Sequence, residues 1–329
     1  MAATIDVPGA VDEPRLAGMR LSRGAGRGDA WFGGVALAAG VTVLLVLGLI
    51  AVSTTAQALP AFATQGPSFL WSTDWNPNQG RFGALAFIYG TVLVSTIAVV
   101  LAVPVSLGIA LFTNELAPAR MRKPIAYVMD LLAAIPSVVY GLWGLLVLAP
   151  SIQPAYQAIA DSAGTWPVLD RFFGGNASGK SYMTAGLILA IMITPIITSL
   201  SREVIAVVPA SQREAAMALG ATRWEMIRAT VIPWARSGIV GSVMLGLGRA
   251  MGETIAAALV IGSSVQVSTR LFGSGDAMPA YIANQFGEAG GTFRSALIGL
   301  GVVLFVLTII VNLTARSVVT RFDLRTRGA

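Results

Sequence analysis

The chain has 329 residues, of which 55% are hydrophobic and only 12% are Asp, Glu, Lys or Arg. A soluble domain carries roughly 25% charged residues, so this chain has too few polar groups to cover a water-exposed surface. The composition excludes a disordered chain and disfavours a soluble enzyme. Cys and His are both absent, which excludes disulfides, thiolate nucleophiles, His-based catalytic triads and metal cages built from Cys or His.

Six apolar runs are long enough to cross a bilayer, which takes about 20 residues. They predict an all-α polytopic membrane protein with six transmembrane helices, at about residues 31–59, 83–112, 125–150, 182–208, 238–262 and 295–315. Pro104, Pro136 and Pro195 lie inside three of these runs. Because neighbouring groups in a membrane bundle satisfy the carbonyl that a proline frees, we interpret all three as kinks and not as helix ends.

The distribution of basic residues predicts the orientation of the spans. Sixteen of the 22 Lys and Arg residues lie before the first run, in the second-to-third and fourth-to-fifth connections, and after the sixth run. The other three connections hold only five. Since Lys and Arg concentrate in cytoplasmic loops, both termini are expected in the cytoplasm. We interpret residues 1–30 as a flexible cytoplasmic tail and residues 31–329 as the transmembrane domain. The net charge of +6 reflects this placement and does not indicate a nucleic-acid partner.

Residues 174–181, Gly-Gly-Asn-Ala-Ser-Gly-Lys-Ser, satisfy the G-x-x-x-x-G-K-[ST] pattern of a phosphate-binding loop. Such a loop needs a buried strand before it and a soluble helix after it. Here the fourth apolar run follows directly, and the basic-residue count places the loop outside the cell, where ATP is scarce. We interpret it as an exposed loop that matches by chance. A membrane ATPase that uses this loop is the alternative, and ATP turnover by the purified chain would distinguish the two.

Residues 209–237 form the largest polar insertion on the predicted cytoplasmic side. Gly220 suits a left-handed helix end between two short helices, the second of which is expected to end near Pro233. Two residue pairs fit capping boxes that would start these helices: Ser211 with Glu214, and Thr222 with Glu225. The insertion carries more apolar residues than a solvated linker needs. It is either an amphipathic hairpin on the membrane surface or a docking element for a cytoplasmic partner.

The same insertion resembles the EAA loop of ABC-type import permeases. The family pattern ends in I-x-L-P, from which Thr230 departs and Ile232 differs mildly. In that family the loop supplies a coupling helix that sits in a groove of an ATPase subunit. The resemblance therefore implies that the five matching residues couple this chain to an ATPase: Glu214, Ala215, Ala216, Gly220 and Pro233.

Three further segments resemble the phosphate-specific permeases of this family, in particular their C-type subunit. They are residues 130–144 in the third run, residues 248–254 in the fifth run, and residues 284–289 in the last outer loop. The likeness extends from about residue 31 to the end of the chain, and the A-type partner permease is close kin. The fold implied is that of a type I ABC importer permease.

The fifth run carries the charges that matter most for transport. Gly238, Ser242 and Gly246 begin a row of small residues, spaced by four, that lets helices approach closely. We expect this row to lie at the centre of the assembly, against a helix of another subunit. Arg249 and Glu253 are four residues apart and should share one helix face. They are either a structural ion pair or part of the translocation pathway, where guanidinium matches phosphate oxygens.

Ser137 and Tyr140, after the third-run proline, are candidate hydroxyl donors to an anion in that pathway, although membrane Ser residues commonly bond their own helix. The resemblance implies a permease subunit of an ATP-driven phosphate importer in a bacterial plasma membrane, without catalytic activity or a cofactor of its own. Its implied partners are a second permease, two ATPase subunits that bind ATP and magnesium, an external phosphate-binding protein, and membrane lipid. Residues 263–293 would face the phosphate-binding protein. Alternatives are an ABC permease for sulfate or molybdate and an ion-coupled secondary transporter.

Overall fold

The computed structural model describes residues 27–164 and 166–327, and within those ranges the chain is built from helices. The helices of the first half are α1 (Arg27–Gln65), α2 (Ser68–Trp71), α3 (Leu85–Leu111), α4 (Ala119–Ala134), α5 (Ser137–Trp143), α6 (Ala149–Ala163) and α7 (Pro167–Phe173). Those of the second half are α8 (Tyr182–Ala206), α9 (Ala210–Ala218), α10 (Arg223–Met226), α11 (Ile232–Met251), α12 (Ile255–Val260), α13 (Met278–Gln285) and α14 (Gly291–Arg327). Single π-helical turns occupy Phe112–Leu116, Gly144–Leu148 and Ile227–Val231.

The chain divides into two units at Val52. The described part of the first unit is the helix from Arg27 to Val52, which is predominantly apolar from Trp31 onward. The second unit, from Ser53 onward, contains the rest of α1 and all later helices. Residues 1–26 lie outside the described residues, so most of the predicted N-terminal tail does too, and α1 already covers residues 27–30.

Six segments of the described chain are long and apolar enough to cross a membrane, which confirms the all-α polytopic prediction. They are Trp31–Gln65, Leu85–Leu116, Ser137–Ala163, Tyr182–Ala206, Arg223–Met251 and Gly291–Thr314. The second, fourth and sixth agree closely with the sequence prediction, and the first runs six residues further. The third and fifth are displaced, because each contains a break that hydropathy does not show.

Pro136 ends one helix and begins another, so the predicted kink at this position is wrong. Helix α4 stops at Ala134, and Ile135 and Pro136 are extended, with ψ of 127° and 139°. A residue that precedes proline is disfavoured in the helical region, which explains why α4 stops here. The third span therefore begins at Ser137 instead of near residue 125. Pro104 and Pro195, by contrast, lie inside α3 and α8 as predicted.

The fifth span begins earlier and ends earlier than predicted. The π-turn Ile227–Val231 joins α10 to α11 without interruption, so the hairpin's second helix continues past Pro233 into the span. Pro233 is the second residue of α11 and directly follows the π-turn. The span then stops at Met251, and Gly252, Glu253 and Thr254 separate it from the short helix α12.

Helix α8 forms the centre of the bundle and packs against α3 and α11. The small-residue row of α11 faces α8 of the same chain, which corrects the expected contact with another subunit. A Cβ atom at Gly246 would lie 2.7 Å from Ile197 Cδ1, and one at Gly238 would collide with Val204. Ser242 Oγ and Ser201 Oγ are 2.7 Å apart and form a buried hydrogen bond between the two helices. Small residues therefore serve close helix packing inside this chain.

Candidate functional site

Arg249 and Glu253 are separated by the break in the fifth span, so the prediction that they share one helix face is wrong. Arg249 lies in the last turn of α11, whereas Glu253 follows Gly252, which has φ −90° and ψ 0° and ends the helix. The two side chains form no ion pair with each other, and Arg249 is exposed while Glu253 is buried. They belong to two different environments.

Arg249 opens onto a cavity of about 580 Å³. Its wall is formed by α8, α11 and α14 and is otherwise apolar or small except for one amide: Ile196, Gly241, Met244, Leu245, Gly248, Arg249 and Asn312. Gly241 and Gly248 have open space where a side chain would project. A charged side chain at bilayer depth is costly unless it faces protein or water, and this cavity provides such a space.

Glu253 instead closes the start of α12. Its Oε1 accepts a hydrogen bond of 3.2 Å from the backbone N–H of Ala256, as a helix-capping carboxylate does. The side chain lines a small cavity of about 10 Å³ that also contacts Thr91 and Ser95 of α3. This space holds no more than about one water molecule. Glu253 therefore fixes the helix break and does not face the space beside Arg249.

Tyr140 fixes the break in the third span in a comparable way. Its buried hydroxyl donates a hydrogen bond of 2.9 Å to the carbonyl of Leu132 in α4, across the interruption at Pro136. Ser137 is half-buried at the first position of α5. Helices α5 and α12 pack so closely that a Cβ atom at Gly141 would lie 2.8 Å from the Cα of Ala256. The two interrupted spans therefore meet, and Tyr140 and Glu253 stabilise one side each.

Between α8 and α11, the short helices α9 and α10 form the predicted hairpin. Gly220 has φ +86°, its N–H donates to Met217 O at 3.0 Å, and the N–H of Ala221 donates to Ala216 O at 3.2 Å. These two bonds are the Schellman motif that ends a helix at a left-handed residue. Gly220 therefore acts as predicted.

The capping boxes predicted for the hairpin are half correct. Thr222 Oγ1 accepts from the N–H of Glu225 at 3.3 Å, and Glu225 Oε2 accepts from the N–H of Thr222 at 2.8 Å. The predicted box at Ser211 is wrong, because α9 already begins at Ala210, after Pro209, without a side-chain cap. Proline supplies a fixed φ that starts the helix without one.

The hairpin presents an apolar and acidic surface on its outside. Glu214 and Ala215 are exposed and Ala216 is half-buried. The exposed fractions of the large apolar side chains are 45% at Met217, 90% at Leu219 and 63% at Trp224. We call these residues, Glu214, Ala215, Met217, Leu219 and Trp224, the hairpin face. The opposite side is anchored in a core cluster by Met226, Ile227 and Val231 against α3 and α8.

The Walker-like loop at residues 174–181 is not a phosphate cradle. The N–H of Ser178 donates to Phe272 O at 2.9 Å, and the N–H of Ala177 donates to Gln157 Oε1 at 3.0 Å. Ser181 Oγ caps α8 by accepting from the N–H of Thr184. Two of the backbone donors that a phosphate cradle would need, those of Ala177 and Ser178, are thus used within the protein. Lys180 is exposed, but half of the loop is buried, so the prediction of an exposed loop is only partly correct.

Asp276 is a buried carboxylate that the sequence analysis missed. It lies directly before the cap of α13, with 2% of its surface exposed. Its Oδ1 accepts from the N–H of Ala277 at 2.9 Å, whereas its buried Oδ2 has no hydrogen-bond partner. Burial raises the pKa of this carboxyl from 3.8 to about 7. An isolated Asp before a short helix reads as an ordinary cap, so the sequence carried no signal of its burial.

Comparison with known proteins decides the family. The sequence model of the family described as "Binding-protein-dependent transport system inner membrane component" matches residues 103–328. The chain belongs to this family. The matched residues of this chain, 103–328, contain the hairpin, both helix breaks and Arg249.

Relatives within the family are similar over nearly their whole length. The chain is 46% identical to a phosphate transport system permease protein PstC of Mesorhizobium japonicum, over 91% of this chain and 92% of that protein. It is 42% identical to PstC 2 of Mycobacterium tuberculosis, over 90% and 93%. Among solved structures, an inward-facing MetNI methionine ABC transporter matches with a TM-score of 0.53 and 15% identity, over 75% of this chain and 99% of that one. That structural likeness shows the fold alone.

Proposed function

We propose that this chain is a permease subunit of an ATP-driven phosphate importer and forms half of its transmembrane pathway. The names of relatives at 42–46% identity over about nine-tenths of the chain support phosphate as the substrate. The observation that carries the transport mechanism is the hairpin: a rigid, capped pair of helices with an exposed apolar face, fused directly to the fifth span. Sulfate and molybdate import are alternatives that no feature of this site favours.

The hairpin face is the proposed contact with an ATPase subunit in the cytoplasm. An exposed patch of large apolar side chains on a polar loop is typical of a protein interface. The Schellman turn at Gly220 and the capping box at Thr222 fix the angle between α9 and α10, so the patch is presented in one geometry. Because α10 continues into α11, a displacement of the hairpin is transmitted to the fifth span. ATP and magnesium would bind to the ATPase and not to this chain.

Arg249 is the proposed anion-contacting residue of the pathway. Its guanidinium opens onto a cavity between three spans, and guanidinium binds phosphate oxygens with two parallel hydrogen bonds. Glu253, Tyr140 and Ser137 do not line this cavity; they lie at the two helix breaks, and their proposed role in the pathway is indirect. We assign Glu253 and Tyr140 the task of holding those breaks in place. The described cavity is open, which fits an incomplete pathway that a second permease completes.

An ion-coupled secondary transporter would also use interrupted spans, and this chain has two. Such transporters place several ionisable groups at their interruptions, whereas here the residues between the helices, Ile135 with Pro136 and Gly252 to Thr254, include Glu253 alone. The remaining parts of the proposed assembly are a second permease, two ATPase subunits and an extracytoplasmic phosphate-binding protein. In this proposed assembly the chain lies in a bacterial plasma membrane, with both termini and the hairpin on the cytoplasmic side.

Competitive uptake in cells tests the substrate. A strain without its own high-affinity phosphate importer would express the chain with its partner subunits, and uptake of labelled phosphate would be measured with excess sulfate or molybdate. We expect uptake that excess unlabelled phosphate abolishes and that sulfate and molybdate leave within about twofold. Uptake of labelled sulfate or molybdate in place of phosphate would overturn the assignment.

A further inference from the structure

Both helices of the hairpin contact one acidic residue at the end of the second span. Arg213 of α9 places Nη2 3.0 Å from Glu115 Oε1. Arg223, at the start of α10, donates from Nη1 to the backbone carbonyl of Glu115 at 3.5 Å. Glu115 itself lies in the π-turn Phe112–Leu116. The turn thus receives a contact from each arm of the hairpin.

The same contact point is tied to the fourth span. Arg213 Nη2 also donates to the carbonyl of Ile205 at 2.8 Å. Asn114, next to Glu115, donates from its amide to the carbonyl of Arg202 at 2.8 Å. These hydrogen bonds join the hairpin to the ends of both α3 and α8, which are the two most closely packed spans of the bundle.

The ion pair is partly buried and incompletely satisfied. The exposed fraction of the side chain is 8% for Glu115 and 23% for Arg213. Although Glu115 Oε1 lies close to Arg213 Nη2, neither Glu115 Oε1 nor Arg213 Nε, both buried atoms, has an aligned hydrogen-bond partner. A buried polar group without a full set of partners costs free energy, so this pair is poor evidence of a purely stabilising role. A pair that served stability alone would be expected to make its full set of hydrogen bonds.

The backbone beside this pair also allows movement. One π-turn, Phe112–Leu116, holds Glu115, and another, Ile227–Val231, joins the hairpin to the fifth span. Single π-turns in α-helices are frequent at functional sites, because their hydrogen-bond pattern differs from that of the helix around them. The hairpin therefore meets two such turns. It contacts Phe112–Leu116 through the Glu115–Arg213 pair, and Ile227–Val231 joins it to the fifth span.

We propose that the Glu115–Arg213 pair is the contact that transmits movement of the hairpin to the second and fourth spans, and that it changes geometry during the transport cycle. This inference rests on the proposed docking of an ATPase on the hairpin. Glu115 and Arg213 are positioning residues: they contact each other and the end of α8, and neither belongs to the hairpin face. Loss of the pair uncouples ATP hydrolysis from transport and leaves ATPase binding intact.

The test uses the complete transporter in proteoliposomes, with phosphate imported per ATP hydrolysed as the main readout. The variants are Glu115→Gln, Arg213→Gln and the exchange of the two residues, Glu115→Arg with Arg213→Glu. Glu203→Gln is the matched control, because Glu203 lies exposed near the end of α8 and has no hydrogen bond or ion pair among the described residues. ATPase co-purification with each permease is measured separately.

We expect both single variants to retain ATPase at the parental level and to import at least about fivefold less phosphate per ATP. The exchanged pair should import more phosphate per ATP than either single variant but less than the parent, because a Glu at position 213 cannot donate to Ile205 O, and Glu203→Gln should match the parent. Single variants that import as much phosphate per ATP as the unmodified transporter would overturn the proposal. An exchanged pair that imports no more phosphate per ATP than the single variants would also overturn it. Should the Gln variants not accumulate, Glu115→Asp keeps the charge but shortens the reach by one methylene. It should lower coupling at least twofold, and parental coupling there would equally refute the role.

Failure of the proposed function gives a different result. In that case the parental permease would not retain an ATPase, or would not import phosphate at all, before any variant is compared.

Discussion

Gly220→Val probes the hairpin geometry with a change confined to the backbone. Gly220 has φ +86°, and nothing lies within 4 Å of the position that a Cβ atom would take. The added Cβ atom therefore meets no steric obstacle, and the main cost arises from the left-handed backbone. For an L-residue this cost is on the order of 1–2 kcal/mol, and β-branching makes it no smaller.

That free energy sets the size of the expected effect. A cost of about 1–2 kcal/mol lowers the equilibrium ratio of the correctly turned hairpin to its alternatives roughly 5- to 30-fold. If an ATPase recognises only the correct turn, its apparent affinity falls in proportion to the fraction of correctly turned hairpin, by up to this factor where the alternatives dominate in the variant. Since the buried anchor at Met226, Ile227 and Val231 is untouched, the permease should still insert and accumulate.

The assay is titration of purified permease, in lipid nanodiscs, with its ATPase subunit. Gly220→Asn is a graded control, because Asn tolerates the left-handed region better than Val. Gly287→Val is a matched control, since Gly287 is also exposed and also has open space but lacks a positive φ. We expect the affinity order parent and Gly287→Val, then Gly220→Asn, then Gly220→Val. Parental ATPase affinity for Gly220→Val would refute the claim that this turn presents the docking surface.

Three further predictions follow from the same geometry. Lys180→Ala should leave phosphate uptake within about twofold, because Lys180 is exposed and the backbone donors of Ala177 and Ser178 are already paired; a loss as complete as that of a nucleotide-site mutant would contradict this. Arg249→Gln should reduce uptake at least about tenfold at normal membrane level, and exchange of Arg249 with Glu253 should not restore it, since an Arg at position 253 would enter a cavity of about 10 Å³ and remove the α12 cap; an active exchange variant would return the two residues to a purely structural role. Burial raises the pKa of the Asp276 carboxyl from 3.8 to about 7. Between about pH 4 and 7 the folded protein therefore holds a proton on Asp276 that the unfolded chain has released. The stabilisation that this proton provides is present below about pH 4 and is lost as the pH rises to about 7. The free energy involved is on the order of 4 kcal/mol, so Asp276→Asn should raise Tm in detergent at pH 8 and not at pH 4, and an equal shift at both values would contradict the assignment.

Hydropathy predicted the spans well wherever a helix is uninterrupted. A run of about 20 apolar residues is sufficient to identify α3, α8 and the first part of α14, because length and composition alone decide whether a helix can cross. The breaks at Pro136 and Gly252 lie inside apolar runs and leave hydropathy unchanged. Pro104, Pro136 and Pro195 look alike in the sequence, but only Pro136 separates two helices in the structure. Beside that break α5 packs closely on α12, where a Cβ atom at Gly141 would lie 2.8 Å from the Cα of Ala256, and this contact joins residues far apart in the sequence.

The hairpin was predictable because its signals are local. Gly220 and the Thr222–Glu225 pair act over three to five residues, and each adopts the geometry that its spacing indicates. The relation between Arg249 and Glu253 was wrongly predicted, since a spacing of four implies one face only while the helix continues. The Glu115–Arg213 pair joins residues nearly one hundred positions apart, so no pattern within a single segment could reveal it.

Reconstitution of ATP-driven phosphate import tests the central claim most directly. Proteoliposomes would contain this chain, a second permease and the ATPase, with the phosphate-binding protein on the side opposite to the ATPase, and labelled phosphate would be followed across the membrane. We predict accumulation that requires both ATP and the binding protein, that falls when Gly220→Val weakens ATPase binding, and that is absent when this chain is tested alone. Phosphate movement by this chain alone, driven by an ion gradient and indifferent to ATP, would contradict the account.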